Sequence, residues 1–213
     1  MTVQQQREQK HQKTLKLVET AMLAAIVVLM SFTPIGYLKV GALSITFIMI
    51  PVVIGGITVG PAAGAVLGAI WGATSFWQCF GMDAFGTTLM SLNPVGTFIT
   101  CVIARILAGW LAGLIYMAIS KIGPKARIAG CPIASLSVAL INTTLFMGSL
   151  VAFFWNTDYI GGFKELLGKT NVFGFILAFV GVNGAIEAGV TCVVGGAIAI
   201  ALVNTLFKKR IGE

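Results

Sequence analysis

The sequence predicts an all-α integral membrane protein with six transmembrane helices and both termini in the cytoplasm. Three observations lead there. Of 213 residues, 57% are hydrophobic and 10% charged, with a mean hydropathy of +0.96. Its 7 acidic and 14 basic residues cannot supply the charged surface that a soluble domain of this length needs. Apolar runs of spanning length recur along the chain, and the basic residues between them are unevenly distributed. A secreted disulfide scaffold and a nucleic-acid-binding domain are excluded, despite a pI near 9.5. Basic charge in such a chain marks cytoplasmic loops.

Residues 1–16 are polar, carry Arg7, Glu8, Lys10, His11, Lys13 and Lys16, and read as a cytoplasmic lead-in. The first span covers about 17–34 and lacks the small-residue cleavage pattern of a signal peptide. A short mixed segment, Ile35 to Ser44, separates it from a second span at about Ile45 to Val59, which Pro51 interrupts. Gly60-Pro61 is a turn followed by a proline suited to the first position of a helix, so the third span runs over about 61–80. A polar stretch from Gly81 to Leu92 follows. Asn93-Pro94 then reads as an N-cap and first helical proline, opening a fourth span that ends near Ser120.

Lys121 to Gly130 is a basic loop, and the fifth span covers about Cys131 to Phe154. Trp155 to Asn171 is a longer polar loop, with Trp155 and Tyr159 suited to an interfacial belt. The apolar stretch Val172 to Phe207 would reach about 54 Å as one helix, against a hydrocarbon core of about 30 Å. Gly181, Asn183 and Gly184 offer a break, giving a short re-entrant or interfacial segment at 172–182 and a sixth span at 183–207. The organisation is thus a polar segment 1–16, a six-helix membrane domain 17–207 and a basic tail 208–213.

Orientation follows from charge. With the N-terminus inside, Arg7, Lys10, Lys13, Lys16, Lys121, Lys125, Arg127, Lys208, Lys209 and Arg210 are cytoplasmic, against Lys39, Lys164 and Lys169 outside. The positive-inside rule selects this topology and rejects its inverse.

Gly60, Gly64, Gly68 and Gly72 recur at every fourth residue of the third span, with Ala65, Ala69 and Ala73 beside them. Such stripes allow helices to approach closely, either within the chain or at a docking surface for another membrane protein. Gly109 and Gly113 repeat the spacing in the fourth span, and Ala21 and Ala25 form a similar pair in the first.

Only Arg105 and Glu187 place charge well inside predicted spans. A central arginine costs about 2.5–3.5 kcal/mol on insertion scales, so such groups face a partner or a wet cavity. Arg105 sits about 16 Å along its helix from Pro94. Asn142 lies near the middle of the fifth span, and Asn183 and Glu187 share a face of the sixth. These residues form either a polar pocket or internal struts, with Arg105 neutralising Glu187. Trp71, Trp77, Gln78, Asp83 and Asn93 add a candidate wall and rim.

No Walker A sequence, catalytic triad or acidic ladder is present, and His11 is the only histidine. Cys79, Cys101, Cys131 and Cys192 show no metal-binding spacing and read as small apolar packing residues. The chain is not expected to be an enzyme or to hold a cofactor.

Residues Ile45 to Phe98, with the pair Ala21 and Ala25, the six-span plan and the stretch Gly181 to Ala188 (GVNGAIEA), resemble the substrate-binding S-component of an energy-coupling factor (ECF) vitamin transporter, most of all its pantothenate type. The resemblance implies a bacterial cell-membrane protein that binds a vitamin at the outer face with high affinity and has no transport power alone. It implies partnership with the transmembrane coupling protein EcfT and two ECF ATPase subunits, with Ala21 and Ala25 at the contact. It also implies that the Ile35 to Ser44 loop lids the pocket, and that ATP-driven toppling of the S-component releases the vitamin inside. Pantothenate carries a carboxylate, an amide and two hydroxyls, which Arg105, Asn142 and Asn183 complement. Alternatives are another vitamin (cobalamin, folate, a pyrimidine or pyridoxine precursor) or a structural or assembly membrane protein without a ligand.

Overall fold

A computed structural model describes the backbone of residues 3–40, 43–168 and 171–211, and the side chains within them except 3, 38–40, 43–45, 182 and 206–211. Lys169, part of the expected lid at 41–42, and the side chains of Lys39, Lys208, Lys209 and Arg210 therefore lie outside the described residues.

Ten α-helical segments and a two-stranded hairpin follow one another in chain order among those residues. Helix α1 (Val3–Ser31) leads into β1 (Tyr37–Val40) and β2 (Leu43–Thr46), which pair antiparallel with Tyr37 opposite Thr46. Next come α2 (Met49–Thr58), α3 (Pro61–Gln78), α4 (Ala84–Leu92) and α5 (Pro94–Phe98). A π-helical turn at Ile99–Ile103 joins α5 to α6 (Ala104–Ser120). The chain continues as α7 (Pro124–Phe154), α8 (Asp158–Leu166) and α9 (Val172–Val190). A second π turn, Thr191–Gly195, leads into α10 (Gly196–Ile211).

Among the described residues, four helical stretches are long and apolar enough to cross a membrane: Gln4–Ser31, Pro94–Ser120, Pro124–Phe154 and Asn183–Thr205. The ten residues of α2 form a shorter apolar helix.

Several expected boundaries move. The polar lead-in is helical from Val3 and continuous with the first span in α1. The basic loop shrinks to the turn at Lys121–Gly123, because Pro124 starts α7 at a first-turn position where its missing N–H costs nothing. The stretch after Gly81 contains α4, whose N-cap Asp83 accepts a hydrogen bond from the Gly86 N–H. The segment Ile35 to Ser44 contributes to a hairpin rather than an irregular loop.

The break expected at Gly181 to Gly184 does not form, and helix runs continuously from Val172 through the second π turn to Ile211. The extra length is covered by protein at one end. There Phe175 is fully buried and stacks on Phe179 at 5.0 Å. These rings join Phe85, Leu89, Met147, Leu150, Phe154 and Ile160 in a compact aromatic-rich cluster. Trp155 and Tyr159, half-buried, pack on this cluster.

The main core is aliphatic, built on Val27, Ile48, Met49, Val52, Leu67, Trp71, Ala108, Ala112 and Val138. It is threaded by the glycine stripe of α3. A Cβ on Gly64 would lie 2.4 Å from the Gly109 carbonyl oxygen, and one on Gly68 would lie 2.3 Å from that of Arg105. Reciprocally, a Cβ on Gly109 would lie 2.2 Å from the Gly64 oxygen. Gly64, Gly68 and Gly72 are therefore consumed by packing against α6 and its π turn, and the docking-surface alternative for that stripe is set aside.

Candidate functional site

The α3–α6 crossing fixes where Arg105 starts. With no Cβ at Gly68, the two backbones touch, the first turn of α6 is pressed against α3 at that level, and the π turn before it lies against Gly72. The Arg105 side chain leaves this crossing toward a cavity of about 610 Å³. That volume suits a small organic molecule. Its guanidinium lies 5.3 Å from the Trp71 ring centroid and 5.4 Å from that of Phe146. One Nη donates to the Thr100 carbonyl in the π turn. Wide turns of this kind recur at functional sites, and here the turn offers a carbonyl to the arginine five residues on.

Arg105, Asn142 and Glu187 are each 8% exposed, and all three line the cavity. Nε of Arg105 and Oδ1 of Asn142 have no protein partner among the described residues. Unpaired buried polar atoms cost about 1–3 kcal/mol each, which makes them natural ligand contacts. Glu187 does not share that status. Its Oε1 accepts the Thr46 N–H at 2.6 Å, tying the end of β2 to α9. No ion pair joins Arg105 to Glu187 among the described residues, so the internal-strut alternative for this pair finds no support in the geometry.

The hairpin covers one side of the cavity, with Tyr37 and Thr46 among its lining residues. The Trp71 indole N–H donates to the Tyr37 hydroxyl at 3.2 Å, linking hairpin to α3. Burial pushes the Tyr37 hydroxyl above its ordinary value, partly offset by the Arg105 charge, so it stays a neutral contact. Below it, Gln78 Nε2 donates to the Ser31 carbonyl at 2.5 Å and joins the ends of α1 and α3.

Of the residues expected at the site, Arg105, Asn142, Asn183, Glu187 and Gln78 line the cavity together. Trp77 and Asn93 are not among its lining residues. Trp77 is 66% exposed, and the Asn93 side chain accepts the Gly96 N–H as the N-cap of α5. Asp83 reaches the rim, where it caps α4. Tyr37 is reached only as part of the expected lid at Ile35 to Ser44, while Thr46 and Phe146 escape sequence reading: Thr46 ends a hairpin too short to show a period, and Phe146 is one apolar residue among many in its span. The assembled chemistry is one buried cation, amide groups and aromatic walls, with the nearby carboxylates already engaged. It suits a small anionic ligand bearing hydrogen-bond donors.

The family model described as "ECF transporter, substrate-specific component" matches residues 15–206. A relative named "Pantothenate transporter PanT", from Leuconostoc mesenteroides subsp. mesenteroides, is 27% identical over 202 residues, covering 91% of this chain and 92% of the relative.

Proposed function

Because this chain belongs to the family of ECF transporter substrate-specific components, a family of multi-pass plasma-membrane transport proteins and not of enzymes, we propose that it captures pantothenate from outside the cell. The single observation that carries the reading is the cavity around Arg105, in which a buried cation and an unpaired Asn142 oxygen stand together. In this reading the pantothenate carboxylate meets Arg105, a charge-assisted contact that is stronger than a neutral one. Asn142 Oδ1 accepts from a hydroxyl or the amide N–H, and Asn183 lines the wall where the remaining polar groups would lie. The hairpin closes over the ligand, held by Glu187 and Trp71.

The proposed topology has six spans, adding α2 and α3 to the four long helices, with both termini in the cytoplasm. The basic asymmetry of the loops supports it. The cavity then opens outward. Release inside is assigned to ATP-driven movement of a coupling protein and two ATPase subunits. Ala21 and Ala25 are exposed on α1, whereas Leu23, Ala24, Val27 and Met30 turn inward, so the pair is free for a close helix contact. Replacing both by Leu should abolish uptake in cells while pantothenate still binds the purified protein. Lost binding would place the pair in the fold instead.

Equilibrium binding of labelled pantothenate to purified, folded protein tests the function itself. Saturable binding that unlabelled pantothenate displaces and other vitamins do not is the expected result. Preferential binding of another vitamin would replace the assignment.

A further inference from the structure

Two cysteines in the cavity wall have no part in the reading above. Cys79 closes the end of α3, and Cys101 lies in the π turn before α6. They are 22 residues apart in sequence, yet their sulfurs stand 3.8 Å apart, joined by a thiol hydrogen bond. Residue exposure is 3% for Cys79 and 6% for Cys101, and both line the cavity, whereas Cys131 and Cys192 do not. The packing on the far side of Cys79 is made for a thiol. A Cβ on Gly86 would fall 2.6 Å from its Sγ, so α4 approaches only because that residue is glycine. Cys101 lies four residues before Arg105 and one after Thr100, whose carbonyl the guanidinium holds.

Packing alone accounts for a single buried cysteine. It does not account for two thiols in contact across two elements, both bordering an opening to a small-molecule cavity. We propose that Cys79 and Cys101 form a dithiol modification site, converted to a disulfide by small disulfides entering the cavity, and that this bond weakens ligand binding. In the outward-facing orientation proposed above, the site meets the oxidising side of the membrane.

The chemistry balances by exchange. One thiolate attacks a sulfur of a small disulfide RSSR and expels RS⁻. The second thiolate then attacks the mixed disulfide and expels another RS⁻. Two thiol protons end on two RSH molecules, the protein loses two electrons and RSSR gains them. Closing the sulfurs from 3.8 Å to about 2.05 Å draws the end of α3 toward the π turn. That shift moves the Thr100 carbonyl on which the Arg105 guanidinium is held. Bound ligand, filling the cavity, shields the thiols.

The full-length protein in nanodiscs, treated with 2-hydroxyethyl disulfide and then alkylated, tests both halves. Peptide mass mapping should show Cys79 and Cys101 joined with loss of two hydrogens, while Cys131 and Cys192 are alkylated. Labelled pantothenate should then bind at least about tenfold more weakly, with dithiothreitol restoring the original affinity. C101S should yield no product that has lost two hydrogens, and at most a mixed adduct on Cys79. Mixed adducts on separate cysteines, or no reaction in folded protein, would overturn the site. A joined pair with unchanged affinity would overturn its coupling to binding. The mass readout needs no ligand, so it decides the thiol site even if reduced protein fails to bind pantothenate and the proposed substrate falls.

Discussion

Where α3 crosses α6, backbone meets backbone through Gly64, Gly68 and Gly109, and no added carbon fits without displacing a carbonyl. The hairpin is held differently, by a few long-range hydrogen bonds such as Thr46 to Glu187 and Trp71 to Tyr37. The first contact has a single solution and sets the position of Arg105. The second rests on single hydrogen bonds to side chains rather than on backbone packing. A binding protein needs both, because the charged anchor must be preorganised while the cover must let the ligand pass.

The contrast predicts unequal sensitivity to substitution. Gly68→Ala should cost about 3 kcal/mol in thermal unfolding, near the upper end of ordinary overpacking, because the new methyl meets the Arg105 backbone. Gly161→Ala in α8, where a Cβ meets nothing within 4 Å, should be neutral or stabilising by up to about 1 kcal/mol. Equal losses at the two positions would erase the distinction. At the hairpin, Glu187→Ala removes the acceptor of the Thr46 N–H and should speed dissociation of labelled ligand about tenfold, a cost of about 1.5 kcal/mol. Glu187→Gln keeps an acceptor oxygen and should recover most of it. An unchanged off-rate in Glu187→Ala would mean the hairpin is held elsewhere. The smallest loss is expected in the aromatic cluster, where Lys164 Nζ sits 4.4 Å over the Trp155 ring and donates to the Trp155 carbonyl at 2.9 Å. Lys164→Met should lower stability by about 0.5–1 kcal/mol with little change in ligand affinity.

The same contrast explains what sequence reading reaches. Glycines at every fourth residue and Pro94 after Asn93 are local signals, and both point to structures that form: a bare helix face and a capped helix start. Arg105 and Asn142 stand out because charge and amides are rare in apolar runs, and both line the cavity. Glu187 stands out for the same reason, yet its oxygen serves the hairpin, a partner 141 residues away that no local pattern shows. The uninterrupted course of α9 into α10 depends on Phe175 and Phe179 finding the aromatic cluster, which is likewise a tertiary event. Trp77 and Asn93 stand out in the sequence as polar-tipped residues near a loop. One is an exposed ring, and the other is occupied as a cap.

The central claim is that Arg105 receives a carboxylate in the cavity. It is tested most directly by measuring two ligands against two proteins: pantothenate and its analogue with an alcohol in place of the carboxylate, on native protein and on Arg105→Ala. The account predicts that the substitution weakens pantothenate binding by about 1.5–3 kcal/mol, while the analogue, already poor on native protein, loses little more. Such non-additivity is the signature of a direct contact. Equal losses for both ligands, or undiminished pantothenate binding by folded Arg105→Ala protein, would contradict it.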